Sequence, residues 1–245
     1  MIASHRNSFL DLLRGIGVMG MIAYHALFDL IILGENFHLA NNVILWALKF
    51  GAIPVASIFI FVAGVNSQKS GTEKLFVLKK SFYSLVLASI VISVVTYFTL
   101  GSAWIRFGII HFLLFMVIIN NLIFSNFKKK YLLLFLLGVI LFSSQTEHMA
   151  IDGNSYLSHL FSYESDLKAV DHVPLIPWIS VYIAGILSAP FFQDNSYVLS
   201  FGINSLGGRL CNLLGRNSLT IYMLHQPIII MIFYILGFLE FGINR

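Results

Sequence analysis

Long apolar stretches alternate with short polar ones along the chain, and the first stretch sets the terms for the rest. Residues 9–33 read FLDLLRGIGVMGMIAYHALFDLIIL, enough for a helix to cross a bilayer. Yet this stretch carries Asp11, Arg14, His25 and Asp29. Ionisable side chains in a spanning helix are costly and point to a function that needs them. At about 100° per residue, Arg14 and His25, eleven positions apart, fall within roughly 20° of one another. Asp29 lies one turn beyond His25 on that side, and Asp11 one turn before Arg14. A polar stripe therefore climbs one face of an apolar helix. Gly15, Gly17 and Gly20 let other backbones come close to it.

Six further apolar stretches follow, at 43–65, 82–100, 105–124, 131–144, 175–192 and 219–241. Only 131–144 is short, reaching about 21 Å at the helical rise. It spans by local thinning, with Lys128, Lys129 and Lys130 snorkelling, or else it re-enters. The pattern predicts an all-α, polytopic transmembrane helical bundle of about seven spans. With no repeat or linker visible, residues 1–245 are expected to form a single domain.

Lysine and arginine placement orients the bundle. Arg6, Arg14, Lys69, Lys74, Lys79, Lys80, Lys128, Lys129, Lys130, Arg209 and Arg216 share one side when the spans alternate. Only Arg106, Lys168 and Arg245 fall on the other. The N-terminus is expected in the cytoplasm and the C-terminus outside.

Composition sharpens this picture at a few points. Charged residues make up 11% of the chain, where a soluble domain has about a quarter. The first stretch is too long and too charged for a cleavable signal peptide. The single cysteine, Cys211, excludes an intrachain disulfide and a cysteine-built metal site. The net charge of +4 collects in membrane-flanking loops, which argues against nucleic acid as a partner. The outer loop 145–174 mixes Glu147, Asp152, Glu164, Asp166 and Asp171 with His148, His159 and His172. No tight ligand spacing appears there, so it reads as a solvated acidic loop and no metal is expected.

His25 is the leading chemical candidate, about 22 Å along the helix from Leu10. An imidazole one turn from a carboxylate can be held in one tautomer as a general base. The bland alternative is a hydrogen-bonded His25–Asp29 pair that only packs the bundle. His111, in IRFGIIHFLLF, and His225, in LTIYMLHQPIII, lie on the fourth and seventh spans. A lone histidine on an apolar helix usually packs, but three spans contribute one each, and buried histidines in lipid need partners. Pro227, after Gln226, breaks the helical ladder and frees a carbonyl. Lys49, inside the second span, is expected to snorkel to the outer interface. Arg14 can bind an anion such as phosphate, or serve only as a positive-inside residue. Gly215–Arg216–Asn217–Ser218 offers a second arginine and free helix N-terminal amides.

The run LDLLRGIGVMGMIAYHALFDL resembles the first span of bacterial membrane acyltransferase-like proteins grouped with heparan-alpha-glucosaminide N-acetyltransferase. FGIIHFLLF, VPLIPWISVYIAGI and LGRNSLTIYMLHQP fit the same pattern in the same order and reach across about half the chain. The Arg14-to-His25 spacing is also similar to the opening helix of the acyltransferase-3 group. The resemblance implies transfer of an acetyl or other acyl group from cytoplasmic acyl-CoA, acetyl-CoA being the co-substrate, to a sugar or envelope glycan outside. The chain is shorter than the eleven-span eukaryotic enzyme. The eukaryotic catalytic histidine lies after the first span, where this chain offers His38 in GENFHLANN.

On this resemblance, His25, oriented by Asp29, is the expected base or is transiently acylated itself, and His111 stabilises an oxyanion or positions the acceptor. Arg14, Arg216 and His225 are the expected acyl-CoA-binding residues. The expected setting is the cytoplasmic inner membrane, with the lipid bilayer, acyl-CoA and a glycan acceptor as partners and a homo-oligomer left open. The alternative is a proton-coupled transporter or channel using the same buried groups, although repeat symmetry is missing. A catalytically silent membrane scaffold is the third reading. If the charge bias sets the topology, Cys211 faces the cytoplasm. A membrane-impermeant thiol reagent then labels it only after cells are opened, and labelling of intact cells reverses the topology.

Overall fold

The computed structural model describes residues 8–33, 42–68, 72–122, 128, 131–133, 135–136, 138–139, 171–194 and 205–238, with backbone alone over 72–81. In chain order the helices are α1 (Ser8–Phe28), α2 (Asn42–Phe50), α3 (Ala52–Ser67), α4 (Thr72–Leu100), α5 (Ile109–Leu122), α6 (Leu175–Asp194), α7 (Leu206–Arg216) and α8 (Ser218–Ile235). A π-helical turn, Asp29–Leu33, extends α1. Among the described residues there is no strand, and five helices are long and apolar enough to cross a membrane. The fold is an all-helical, multi-pass membrane one. The chain forms two compact units, Met1–Phe59 with Asn195–Arg245, and Ile60–Asp194.

Local chemistry explains where helices depart from the apolar pattern. The second stretch is interrupted at Gly51, whose N–H closes on the Ala47 carbonyl at 2.7 Å and ends α2. Lys49, at that end, is exposed, with Nζ 5.3 Å from the Phe50 ring centre. The fourth stretch becomes helical only at Ile109, because residues 105–107 are held from outside. Ser93 Oγ donates to the Ile105 carbonyl (3.0 Å), Thr96 Oγ1 accepts from the Ile105 N–H (3.0 Å), and the Val173 N–H donates to the Phe107 carbonyl (3.1 Å). Asp171 then accepts from the Ile109 N–H at 3.2 Å and caps α5. In α6, Ile176 is extended (φ −103°, ψ 127°), as the residue before a proline prefers. Of the fifth stretch, 131–133, 135–136 and 138–139 are helical, and the remainder lies outside the described residues, as does the loop 145–170.

In the first unit, α7 was not anticipated from the sequence, which placed 193–218 in a loop. Ser205 caps it, accepting from the Gly208 N–H at 3.0 Å. Its buried positions, Gly208, Asn212 and Gly215, recur at helical spacing, while Leu206, Leu210 and Leu213 stay exposed. α7 runs antiparallel to α1, with Gly15 against the Cys211 main chain and Gly215 against the Asp11 carbonyl. A methyl at either glycine would overlap those atoms. Gly64 and Gly185 provide the same contact between α3 and α6 in the second unit, meeting the carbonyls of Tyr182 and Phe61. Small residues at such crossings let helices in lipid gain packing without a hydrophobic driving force.

Gly215→Ala is therefore expected to lower stability by about 1–3 kcal/mol or more. Gly207→Ala, whose methyl meets open space, is expected to be neutral or slightly stabilising. Thermal unfolding of the two variants in detergent checks this contrast, and equal melting temperatures would refute the close crossing.

Candidate active site

Asp11 and Asp29 are separated by eighteen residues, five whole helical turns, so they leave α1 on one side. Both are fully buried, at 0% exposure. Each anchors a separate polar group within the first unit.

At the first turn of α1, the Asp11 carboxylate accepts from Arg14 Nη1 at 2.8 Å, and Arg216 Nε lies 3.7 Å from its other oxygen. Arg14 belongs to α1 and Arg216 ends α7, so the carboxylate ties the two helices together beside their glycine crossing. Among the described residues, two guanidiniums share one carboxylate. The Arg216 side chain remains 54% exposed.

Higher on α1, the His25 ring sits 4.8 Å from that of His225 on α8, tilted by 58°. Tyr24 meets His25 edge-on at 5.3 Å and donates its hydroxyl to the Leu48 carbonyl at 3.2 Å. His225 Nδ1 lies 2.7 Å from the Tyr222 carbonyl. A carbonyl only accepts, so Nδ1 carries a proton and neutral His225 keeps its lone pair on Nε2. α8 passes through Pro227 without ending there. One residue after His225, Gln226 Nε2 donates to both Asp29 oxygens, at 2.8 and 3.0 Å. The sequence suggested that Asp29 orients His25. Among the described residues the hydrogen bonds seen on Asp29 come from Gln226, a residue weighed only as the neighbour of a helix-breaking proline.

His111 belongs to the second unit. Its Nε2 lies 3.0 Å from Ser93 Oγ. The one proton of that hydroxyl goes to the Ile105 carbonyl, so Nε2–H is the donor to Ser93. The Nδ1 of His111 is buried and takes no hydrogen bond from the described residues.

The first unit gathers His25, His225, Asp29, Arg14 and Arg216, the residues singled out there from the sequence, into two groups. Sequence reasoning missed Gln226 and Ser93, and it noticed Asp11 without giving it a role. The signal for Asp11 was present, an acid one turn before an arginine. For Ser93 there was none, since its partner depends on how 105–107 cross α4. His38 lies outside the described residues. Among the described residues no cluster of three or more His, Cys, Asp or Glu suits a metal ion.

No curated protein and no solved structure matches the chain. A family model does: that of the heparan-alpha-glucosaminide N-acetyltransferase catalytic domain, over residues 6–227. The match takes in α1, α7 and α8 as far as Pro227, and with them both polar groups. The chain belongs to the family of heparan-alpha-glucosaminide N-acetyltransferase catalytic domains, a family of membrane acetyltransferases.

Proposed function

We propose that the protein is an acyltransferase that moves an acetyl group from acyl-CoA on the cytoplasmic side to a sugar or glycan acceptor beyond the membrane. The observation that carries this reading is the placement of an arginine cluster and an imidazole pair at two levels of one face of α1, within the span matched by the family. The lower level suits the polyanionic donor. Arg14 and Arg216 hold the CoA phosphates. Arg216 reaches Asp11 through Nε, so its remaining N–H groups can take a phosphate.

The upper level suits the chemistry. His25 removes the proton from the acceptor N–H or O–H as that atom attacks the acyl carbonyl carbon. The C–S bond then breaks, and the CoA thiolate takes the proton back from the imidazolium. His225 packs against the base and limits its orientations. The hydrogen bonding of His111 separates its two expected roles. With Nε2–H committed to Ser93, it offers an acceptor at Nδ1 within the second unit, which suits hydrogen bonding to a hydroxyl or amine better than to an oxyanion.

Two outcomes test this. With labelled acetyl-CoA supplied to the cytoplasmic face of membrane vesicles, His25→Ala is expected to lose transfer by about 10²–10⁴ while acyl-CoA binding persists. A dead His38→Ala beside an active His25→Ala would hand the role to His38, and an inactive wild type would favour the transporter. Acyl-CoA binding is expected to weaken with salt and in Arg14→Ala and Arg216→Ala, because the phosphate contact is only partly screened near the interface. Calorimetric titration reads this directly, and unchanged affinity in both variants would confine the arginines to structure.

A further inference from the structure

We infer that Gln226 is a substrate-binding residue, whose Oε1 accepts a hydrogen bond from the N–H or O–H of the acceptor as it lies beside His25 and His225. The inference rests on the acyl-transfer reading and adds to it a residue and a direction of hydrogen bonding.

The orientation of the Gln226 amide follows from its partner. A carboxylate accepts and cannot donate, so the amide must turn its NH2 group to Asp29, as the 2.8 and 3.0 Å contacts require. The carbonyl end is thereby aimed away from Asp29. That Oε1 is buried, and it takes no hydrogen bond from the described residues. A buried amide oxygen left without a donor costs about 1–3 kcal/mol, and in lipid no bulk water relieves it. Such groups persist where a ligand completes them.

The neighbouring residue is arranged in the same way. His225 gives its Nδ1 proton to the Tyr222 carbonyl, which leaves the Nε2 lone pair as its other end. Consecutive residues of α8 thus each commit a donor to the protein, and Gln226 presents an acceptor. Both face α1 within one turn, His225 against His25 and Gln226 against Asp29. An acceptor so placed selects a ligand bearing a donor, and an amine or hydroxyl about to be acylated is one. Asp29 then positions Gln226, rather than Gln226 merely neutralising Asp29.

The test is calorimetric titration of glucosamine, which carries both N–H and O–H donors, into the purified protein saturated with CoA. Wild type is expected to bind, and Gln226→Met to bind at least tenfold more weakly with an unchanged CoA affinity. A purely structural Gln226 gives a different result: unfolded protein lowers the stoichiometry, and the folded fraction keeps the wild-type affinity. That result overturns the inference, as does failure of wild type to bind glucosamine. Should Gln226→Met not fold, Asp29→Asn takes its place. The new side-chain amide can donate to Oε1, letting Gln226 turn over and fill its own acceptor, so glucosamine affinity is expected to fall. Unchanged affinity in folded Asp29→Asn also overturns the inference. Glucosamine binding by a wild type that never turns over acetyl-CoA refutes the acyl-transfer reading while leaving the role of Gln226 intact.

Discussion

A carboxylate fully buried in a spanning helix must be answered by protein, and much of the first unit can be derived from how Asp11 is answered. Arg14 alone, one turn along α1, supplies a local partner. Arg216 supplies the second, and it reaches Asp11 because α7 lies backbone to backbone on α1. The glycines at 15 and 215 make that approach sterically allowed, and the charge cluster makes it specific. Removing one partner of a buried ion pair typically costs more than the pair contributes, so the arrangement is held by the penalty of undoing it.

The same reasoning extends up the helix. Asp29 repeats the position of Asp11 five turns later and is answered by an amide rather than a cation. A guanidinium partner would have fixed the charge and closed the site. An amide satisfies the carboxylate and still keeps polarity beside two imidazoles, which suits a place where a proton must move. The π-helical turn that begins at Asp29 marks the same point in the backbone, and such turns are frequent at functional sites.

How much of this could be read from residues alone depended on how local the cause was. The polar stripe of α1 was legible because helical periodicity is a property of one segment. The spans α4, α6 and α8 were legible from apolar length. The helix α7 was not: Leu206, Leu210 and Leu213 are interleaved with glycine, asparagine and arginine, and its stability comes from α1. The late start of α5 was equally hidden, because its cap, Asp171, stands 62 residues away from Ile109. The pairing of Gln226 with Asp29 spans 197 residues, beyond any local pattern. The histidines were visible as residue types, whereas their tautomers required the carbonyl and the hydroxyl that face them.

That long-range pairing bears on how the protein is made. The first unit joins the earliest part of the sequence to the latest, so it is completed only after the intervening helices have been synthesised. At typical elongation rates, Asp29 precedes Gln226 out of the ribosome by about 10–40 s. During that interval α1 holds an acid in the bilayer without the amide that answers it in the finished fold. Biogenesis therefore favours keeping α1 beside the insertion machinery, or in a provisional pose near the interface, until the C-terminal helices arrive. The arrival of α8 decides when α1 is settled.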